Sequence, residues 1–244
     1  MNCRIVLVRP QVAANIGAAA RVMRNMGLSD LVLVAPEAHP ADPDARRLAT
    51  HGEEVLAQCR IVADFGAAVA DCVLVAATSA RIGGLIRRQF VGSPEEIIPH
   101  LLASLAHGPV ALVFGPEANG LSNAEVARCH YLIHIPTDPQ CPVLNLAQAV
   151  AICTYELRRH WLRQTAAPSL LPPREPPAPF VDQERALDHL RQALEDVHFL
   201  WNEKADALMH VLRHLLSRAG PTPTEVDVLH GLARQLRWFA RQRK

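Results

Sequence analysis

Four short, unbroken apolar runs dominate the first half of the chain. They are Ile5-Val6-Leu7-Val8, Leu31-Val32-Leu33-Val34, Val73-Leu74-Val75-Ala76-Ala77 and Val110-Ala111-Leu112-Val113-Phe114. Each has strand length, is rich in β-branched residues and lacks polar alternation. A strand of that kind must be covered on both faces, which is the pattern of a parallel sheet between helices. The intervening segments read as helices: Asn15 to Met26, closed by Gly27; Asp42 to Ala49; Glu53 to Leu56; Phe65 to Ala70; and Pro94 to Leu105. Arg60 to Val62 is a weak strand. A helix over Asn123 to Ala127, a strand over Tyr131 to Ile135 and a long helix from Leu146 to Gln164 complete the series. The expected class is α/β, a mostly parallel sheet flanked by helices.

That pattern stops at residues 168–179, PSLLPPREPPAP, where six of twelve residues are proline. Proline fixes φ and lacks an N–H donor, so neither a helix nor a central strand runs through such a segment. The expected organisation is a body over 1–165, a proline-rich linker over 166–180 and a small helical extension over 181–244. Three helices are expected in that extension: Gln183 to Phe199, with Leu187, Leu190 and Leu194 on one face, Lys204 to Leu216, and Thr224 to Arg243.

Composition narrows the function classes. With 20% charged and 50% hydrophobic residues among 244, the chain is not wholly disordered. No apolar run approaches the ~18 residues that span a bilayer. The start, MNCRIVLVRP, lacks the longer apolar core of a secretory signal. A soluble, cytoplasmic protein without membrane contact is expected. Six cysteines without a CxxC pair, and twelve histidines read as showing neither HxxxH nor HExxH, predict neither a disulfide framework nor a metal site. Residues 1–160 carry a formal charge of −1 and residues 161–244 one of +2. Arg234, Arg237, Arg241, Arg243 and Lys244 end the chain with no acid among them, which suits contact with a polyanion.

In an open parallel sheet, ligands bind at loops leaving the carboxyl ends of strands. The first such loop runs from Arg9 to Gly17 and enters a helix carrying Arg21; Asn15 is suited to cap that helix. The second, Gly115-Pro116-Glu117-Ala118-Asn119-Gly120, joins two glycines, a carboxylate and an amide. It is neither a Walker loop nor GxGxxG. The third spans Ile135 to Leu146 and carries Asn145, a second candidate cap. Thr78-Ser79-Ala80-Arg81 follows the Val73 strand and adds a cation at the same edge.

The ordered series NIGAAARVMRNMGL, TSAR, LVFGPEANGLS and IPTDPQCPVLNLAQAVAICTYELRR resembles the TrmH/SpoU branch of the SPOUT methyltransferases. Within that branch it is most similar to the TrmJ family, which methylates a ribose 2′-hydroxyl at position 32 of the tRNA anticodon loop. The resemblance covers residues 4 to about 161, and the LDHLRQAL run of the tail resembles the TrmJ extension. It implies a SPOUT fold with a C-terminal trefoil knot, S-adenosylmethionine as cofactor, tRNA as partner and a homodimer with its site near the subunit interface. Ribosomal RNA is the alternative substrate, and a non-catalytic RNA-binding protein of the same fold the alternative activity. By motif, Arg21, Asn15, Glu117 and Asn145 are the implied catalytic set. Thr78, Ala80, Gly115, Gly120, Ile135 and Leu144 would hold the cofactor, and Arg81, Arg237 and Arg241 would contact RNA. A guanidinium keeps its proton too firmly to act as free base, so Arg21 is expected to stabilise the developing oxyanion. The chain departs from the family pattern at Pro116, often an arginine, and at Val143, often a serine.

Overall fold

The computed structural model describes residues 1–81, 91–164 and 175–242. The chain divides into two compact units, Met1–Pro172 and Pro173–Lys244. The first is built on seven strands: β1 (Cys3–Val8), β2 (Leu31–Val34), β3 (Arg60–Val62), β4 (Leu74–Thr78), β5 (Val91–Gly92), β6 (Val110–Phe114) and β7 (Tyr131–Ile133). Their order is β3-β2-β1-β6-β4-β7-β5, and every neighbouring pair is parallel. Among the described residues seven α-helices accompany them: α1 (Ala13–Asn25), α2 (Pro43–Ala49), α3 (Glu53–Ala57), α4 (Phe65–Val69), α5 (Pro94–Ser104), α6 (Asn123–Ala127) and α7 (Leu146–Gln164).

The unbroken apolar runs are explained by burial on both sides. Ile5, Leu7, Leu31, Leu33, Leu112 and Phe114 join one core with Ile16 and Met23 of α1, Ile98 and Leu101 of α5, and Val150 and Leu157 of α7. The residues between them, Val6, Val8, Val32, Val34, Ala111 and Val113, are also buried. A polar residue at any of these positions would be desolvated without a partner.

Three expectations need correction. The β7 strand stops at Ile133 and does not reach Ile135; beyond it only His134 still donates its backbone N–H to Gly92 O. The two-residue β5 strand has no apolar run and was not expected. Asn15 does not cap α1: the N-cap is Val12, which makes no side-chain cap, and Asn15 lies inside the first turn with its amide engaged elsewhere. The proline-rich segment lies partly outside the described residues.

The second unit contains α8 (Phe180–Asp196), α9 (Ala205–Ala219) and α10 (Pro223–Gln242). Its core is thin: Ala178, Ala186 and Val226 form one buried group, and Leu187, Leu200 and Met209 another. The expectation that no HxxxH spacing occurs is also corrected: His130 and His134 stand at that spacing on either side of β7, and His210 and His214 on α9. His210 and His214 are buried there, with ring centroids 4.2 Å apart in an edge-to-face arrangement. Among the described residues no group of three or more His, Cys, Asp or Glu side chains is placed to hold a metal ion. All six cysteines are free thiols. No helix among the described residues is long and apolar enough to cross a membrane.

Two features fix the packing of the first unit. A Cβ built on Gly17 would stand 1.9 Å from the carbonyl oxygen of Ala45, so α1 and α2 touch backbone to backbone. At the amino edge of the sheet, buried Arg4 binds Asp71 through two bonds of 2.6 and 3.0 Å, Asp30 at 2.8 Å and Ala68 O at 2.8 Å. The bond from Arg4 holds the Asp71 carboxyl below its ordinary value.

Gly17→Ala is expected to cost about 1–3 kcal/mol, because backbone on both sides must move; urea denaturation measures this. Asp71 has a depressed folded pKa, so its contribution is present above the unfolded value of about 3.9. That contribution is lost as pH falls through the folded value. Acid unfolding should therefore be less steep in Asp71→Asn than in the parent chain.

Candidate active site

The loops singled out in the sequence meet at the carboxyl edge of the sheet. The β4, β6 and β7 strands end there at Thr78, Phe114 and Ile133. A cleft with about 860 Å³ of free space, open to solvent, lies among the loops that follow. Its walls include all six residues expected to hold a cofactor: Thr78, Ala80, Gly115, Gly120, Ile135 and Leu144. Glu117 and Arg81 line it as well, and Phe114, Ile133 and Leu146 supply apolar surface. The two departures, Pro116 and Val143, are also in the wall, and Val143 is 63% exposed.

The second loop is shaped by its glycines. A Cβ on Gly115 would stand 2.3 Å from the backbone nitrogen of Leu121, so no side chain fits where the loop folds over its own start. Gly120 has φ +66°, a left-handed conformation that favours glycine, and the space beside it is open. Its N–H donates to Pro116 O. The hydroxyl of Thr78 donates to Val113 O at 3.1 Å, so Thr78 ties β4 to β6.

A chain of side-chain hydrogen bonds joins the three loops. The Asn145 amide nitrogen donates to Asn15 Oδ1 at 2.8 Å. The Asn15 amide nitrogen donates to Glu117 Oε1 at 2.8 Å. Glu117 Oε2 accepts the backbone N–H of Gln11 at 2.9 Å. Asn145 also begins α7, where its Oδ1 accepts the N–H of Ala147 at 2.8 Å, and Gln148 Oε1 accepts the N–H of Asn145. The expected cap is therefore present, and the same side chain makes the contact to Asn15.

Three of the four implied catalytic residues thus come together. Arg21 does not join them within one chain. It is exposed on α1 and makes no side-chain hydrogen bond or ion pair among the described residues. Six residues beyond Asn15, it lies about 9 Å further along the helix axis and on a different face. Of the expected RNA contacts, Arg81 and Arg241 are exposed, while Arg237 is paired with Asp196 at 3.0 Å and Gln192 at 3.2 Å. Arg243 and Lys244 lie outside the described residues.

Sequence reading placed Arg9 and Gln11 in the first loop and Glu125 in a family-like motif but assigned none of them a role. Gln11 holds Glu117 through its backbone, and its side chain accepts the N–H of Ala118 at 3.3 Å. Arg9 binds Glu125 through two bonds, of 2.6 and 3.0 Å. Burial pushes the Glu125 carboxyl up, but the bonds from Arg9 and Ser122 outweigh it and hold the group below its ordinary value.

Residues 2–155 match the model of the SpoU rRNA Methylase family, and residues 182–244 that of the tRNA methyltransferase TrmJ C-terminal domain. The tRNA (cytidine/uridine-2′-O-)-methyltransferase TrmJ of Yersinia enterocolitica serotype O:8 is 40% identical over 233 residues, 95% of this chain and 90% of that protein. The chain belongs to the TrmJ family of SpoU methylases. The crystal structure of TrmJ from Z. mobilis ZM4 superposes with a TM-score of 0.80 at 35% identity, covering 96% of this chain and 98% of that one. The SpoU methyltransferase AviRb from Streptomyces viridochromogenes, crystallised with AdoMet, has a TM-score of 0.52 at 22% identity over 65% of this chain and 60% of its own, and shares the fold.

Asn145→Asp separates the two roles of this residue. A carboxylate still caps α7, but it meets Asn15 Oδ1 with an acceptor in place of a donor. The α7 helix should persist by circular dichroism, while stability in urea falls by about 1–3 kcal/mol because the buried Asn15 oxygen loses its donor and faces an acceptor.

Proposed function

We propose that this chain is an S-adenosylmethionine-dependent methyltransferase acting on a ribose 2′-hydroxyl of tRNA, at cytidine or uridine in position 32 of the anticodon loop. The convergence of the motif loops on one cleft, with the Asn145–Asn15–Glu117 chain at its rim, carries this reading. Membership of the TrmJ family supports it.

The cleft fits the cofactor on its own chemistry. Apolar walls from Phe114, Ile133 and Leu146 suit a flat base, and side-chain-free backbone at Gly115 and Gly120 lets a nucleoside approach closely. Ile135, Leu144, Thr78 and Ala80 would enclose it. The cofactor supplies a methyl group activated on a sulfonium. The protein must hold the ribose hydroxyl in line and stabilise charge as its proton leaves. Glu117 and Asn145 fix the Asn15 amide, which orients the ribose. Arg21 stabilises the oxyanion electrostatically.

Because Arg21 does not line the cleft of its own chain, the reading includes a homodimer in which Arg21 of the partner subunit completes the site. It also includes a trefoil knot formed where the second and third loops pack together, and a cytoplasmic location. The domain assignment is a methyltransferase domain over 1–165, a linker over 166–180 and an RNA-directed extension over 181–244. Arg81 and Arg241 are open to phosphates, whereas Arg237 must leave Asp196 to reach one.

Arg21→Ala should retain cofactor affinity and lose at least a hundredfold in methyl transfer, in the range seen when one oxyanion-stabilising group is removed. Full activity in that variant would remove Arg21 from the mechanism. Nucleoside mass spectrometry of tRNA and rRNA from a strain lacking this gene should show loss of one 2′-O-methyl group in the tRNA anticodon loop. Loss from rRNA would replace the substrate.

A further inference from the structure

The geometry points to Arg9 and Glu125 as a positioning clamp that holds the cleft wall, residues 115–122, in its ligand-ready shape. The proposal deepens the functional reading above and rests on it for the identity of the ligand.

Four observations carry it. First, Arg9 has φ +46°, a left-handed backbone conformation that costs free energy for any residue with a Cβ. Glycine is the unstrained choice there, so the strain is offset by what the arginine side chain does. Second, both carboxylate oxygens of Glu125 accept from the guanidinium, at 2.6 and 3.0 Å. This planar two-pronged match is one that only arginine makes. Third, Glu125 Oε2 also accepts the N–H and hydroxyl of Ser122, both at 2.8 Å. Ser122 ends the loop that begins at Gly115. Fourth, the other part of that loop is fixed through Glu117, which binds Gln11 N–H and Asn15. The loop is therefore gripped twice, by Arg9 near its end and by Gln11 and Asn15 at Glu117. All three gripping residues belong to the single connection from β1 into the start of α1. Between the two grips lie Ala118, Asn119 and Gly120, which line the cleft.

Neither Arg9 nor Glu125 lines the cleft, so their action on a ligand is indirect. Releasing the outer grip lowers the fraction of molecules whose wall is correctly shaped. Apparent affinity falls by that fraction, and saturating ligand restores the shaped state. A residue that touched the reacting atoms, or that held an RNA phosphate, would behave differently.

The full chain is compared with Arg9→Gln, Glu125→Gln and Arg9→Lys by hydrogen–deuterium exchange and by steady-state methyl transfer to tRNA. Exchange at amides 115–122 should rise about tenfold in the two glutamine variants, with β1 and β6 amides unchanged. KM for S-adenosylmethionine should rise about tenfold while kcat at saturation stays within about threefold, and Arg9→Lys should fall between parent and Arg9→Gln. Unchanged exchange at 115–122, or a uniform rise across the unit, overturns the clamp. So does a fall in kcat at saturating cofactor, or an effect confined to KM for tRNA. If the parent chain transfers no methyl group to tRNA, the functional reading fails, while the exchange pattern still decides the clamp.

Discussion

The site depends on one side chain that must donate and accept at once. Asn15 gives a hydrogen to Glu117 and takes one from Asn145, residues far along the chain in two other loops. An aspartate there has no hydrogen to give. A leucine has neither group, and a serine is too short to bridge both neighbours. Only an amide of this length closes the chain, and the closed chain makes three separate loops into one wall. The cost is paid at the start of α1, where Val12 stands at the cap position and offers no side-chain acceptor.

The helix that carries Asn15 is in turn held by small residues. Gly17 lets α1 meet the backbone of α2, and Ala19 and Ala20 are fully buried beside it. Larger side chains would push the helix outward and carry Asn15 with it. The alanine-rich look of NIGAAAR is therefore a statement about distance between backbones as much as about helix propensity.

Much of the sheet was legible because burial on both faces leaves a strong mark in sequence. The β2, β3, β6, α6 and α7 elements match the expected bounds, and β1 and α1 differ only at their ends. The β5 strand left no mark because two residues are too few to show a pattern. Strand order was also beyond local reading, since β1 lies beside β6 through contacts distant in the chain. At the site, Asn15, Glu117 and Asn145 could be selected by motif, but the bonds between them could not. Asn15 looked like a cap because its residue type suits one, and the tertiary partners that redirect it are remote. Arg9 and Glu125 received no role for a related reason: each resembles an ordinary surface charge until the fold pairs them.

The strand order also constrains how the domain is assembled. The β1, β2 and β3 strands neighbour one another in chain order and can associate as soon as they exist. The β4 strand cannot: its partners are β6 and β7, both later in the chain. The β5 strand pairs with β7 alone. The β4 strand must therefore wait, unpaired and apolar, until β6 is made, and β7 must then enter between β4 and β5. Such long-range closure predicts slow folding and a period of exposure to wrong partners. A polypeptide emerging from the ribosome would carry β4 without a neighbour while nearly forty further residues are made, so chaperone demand is built into the order of the strands.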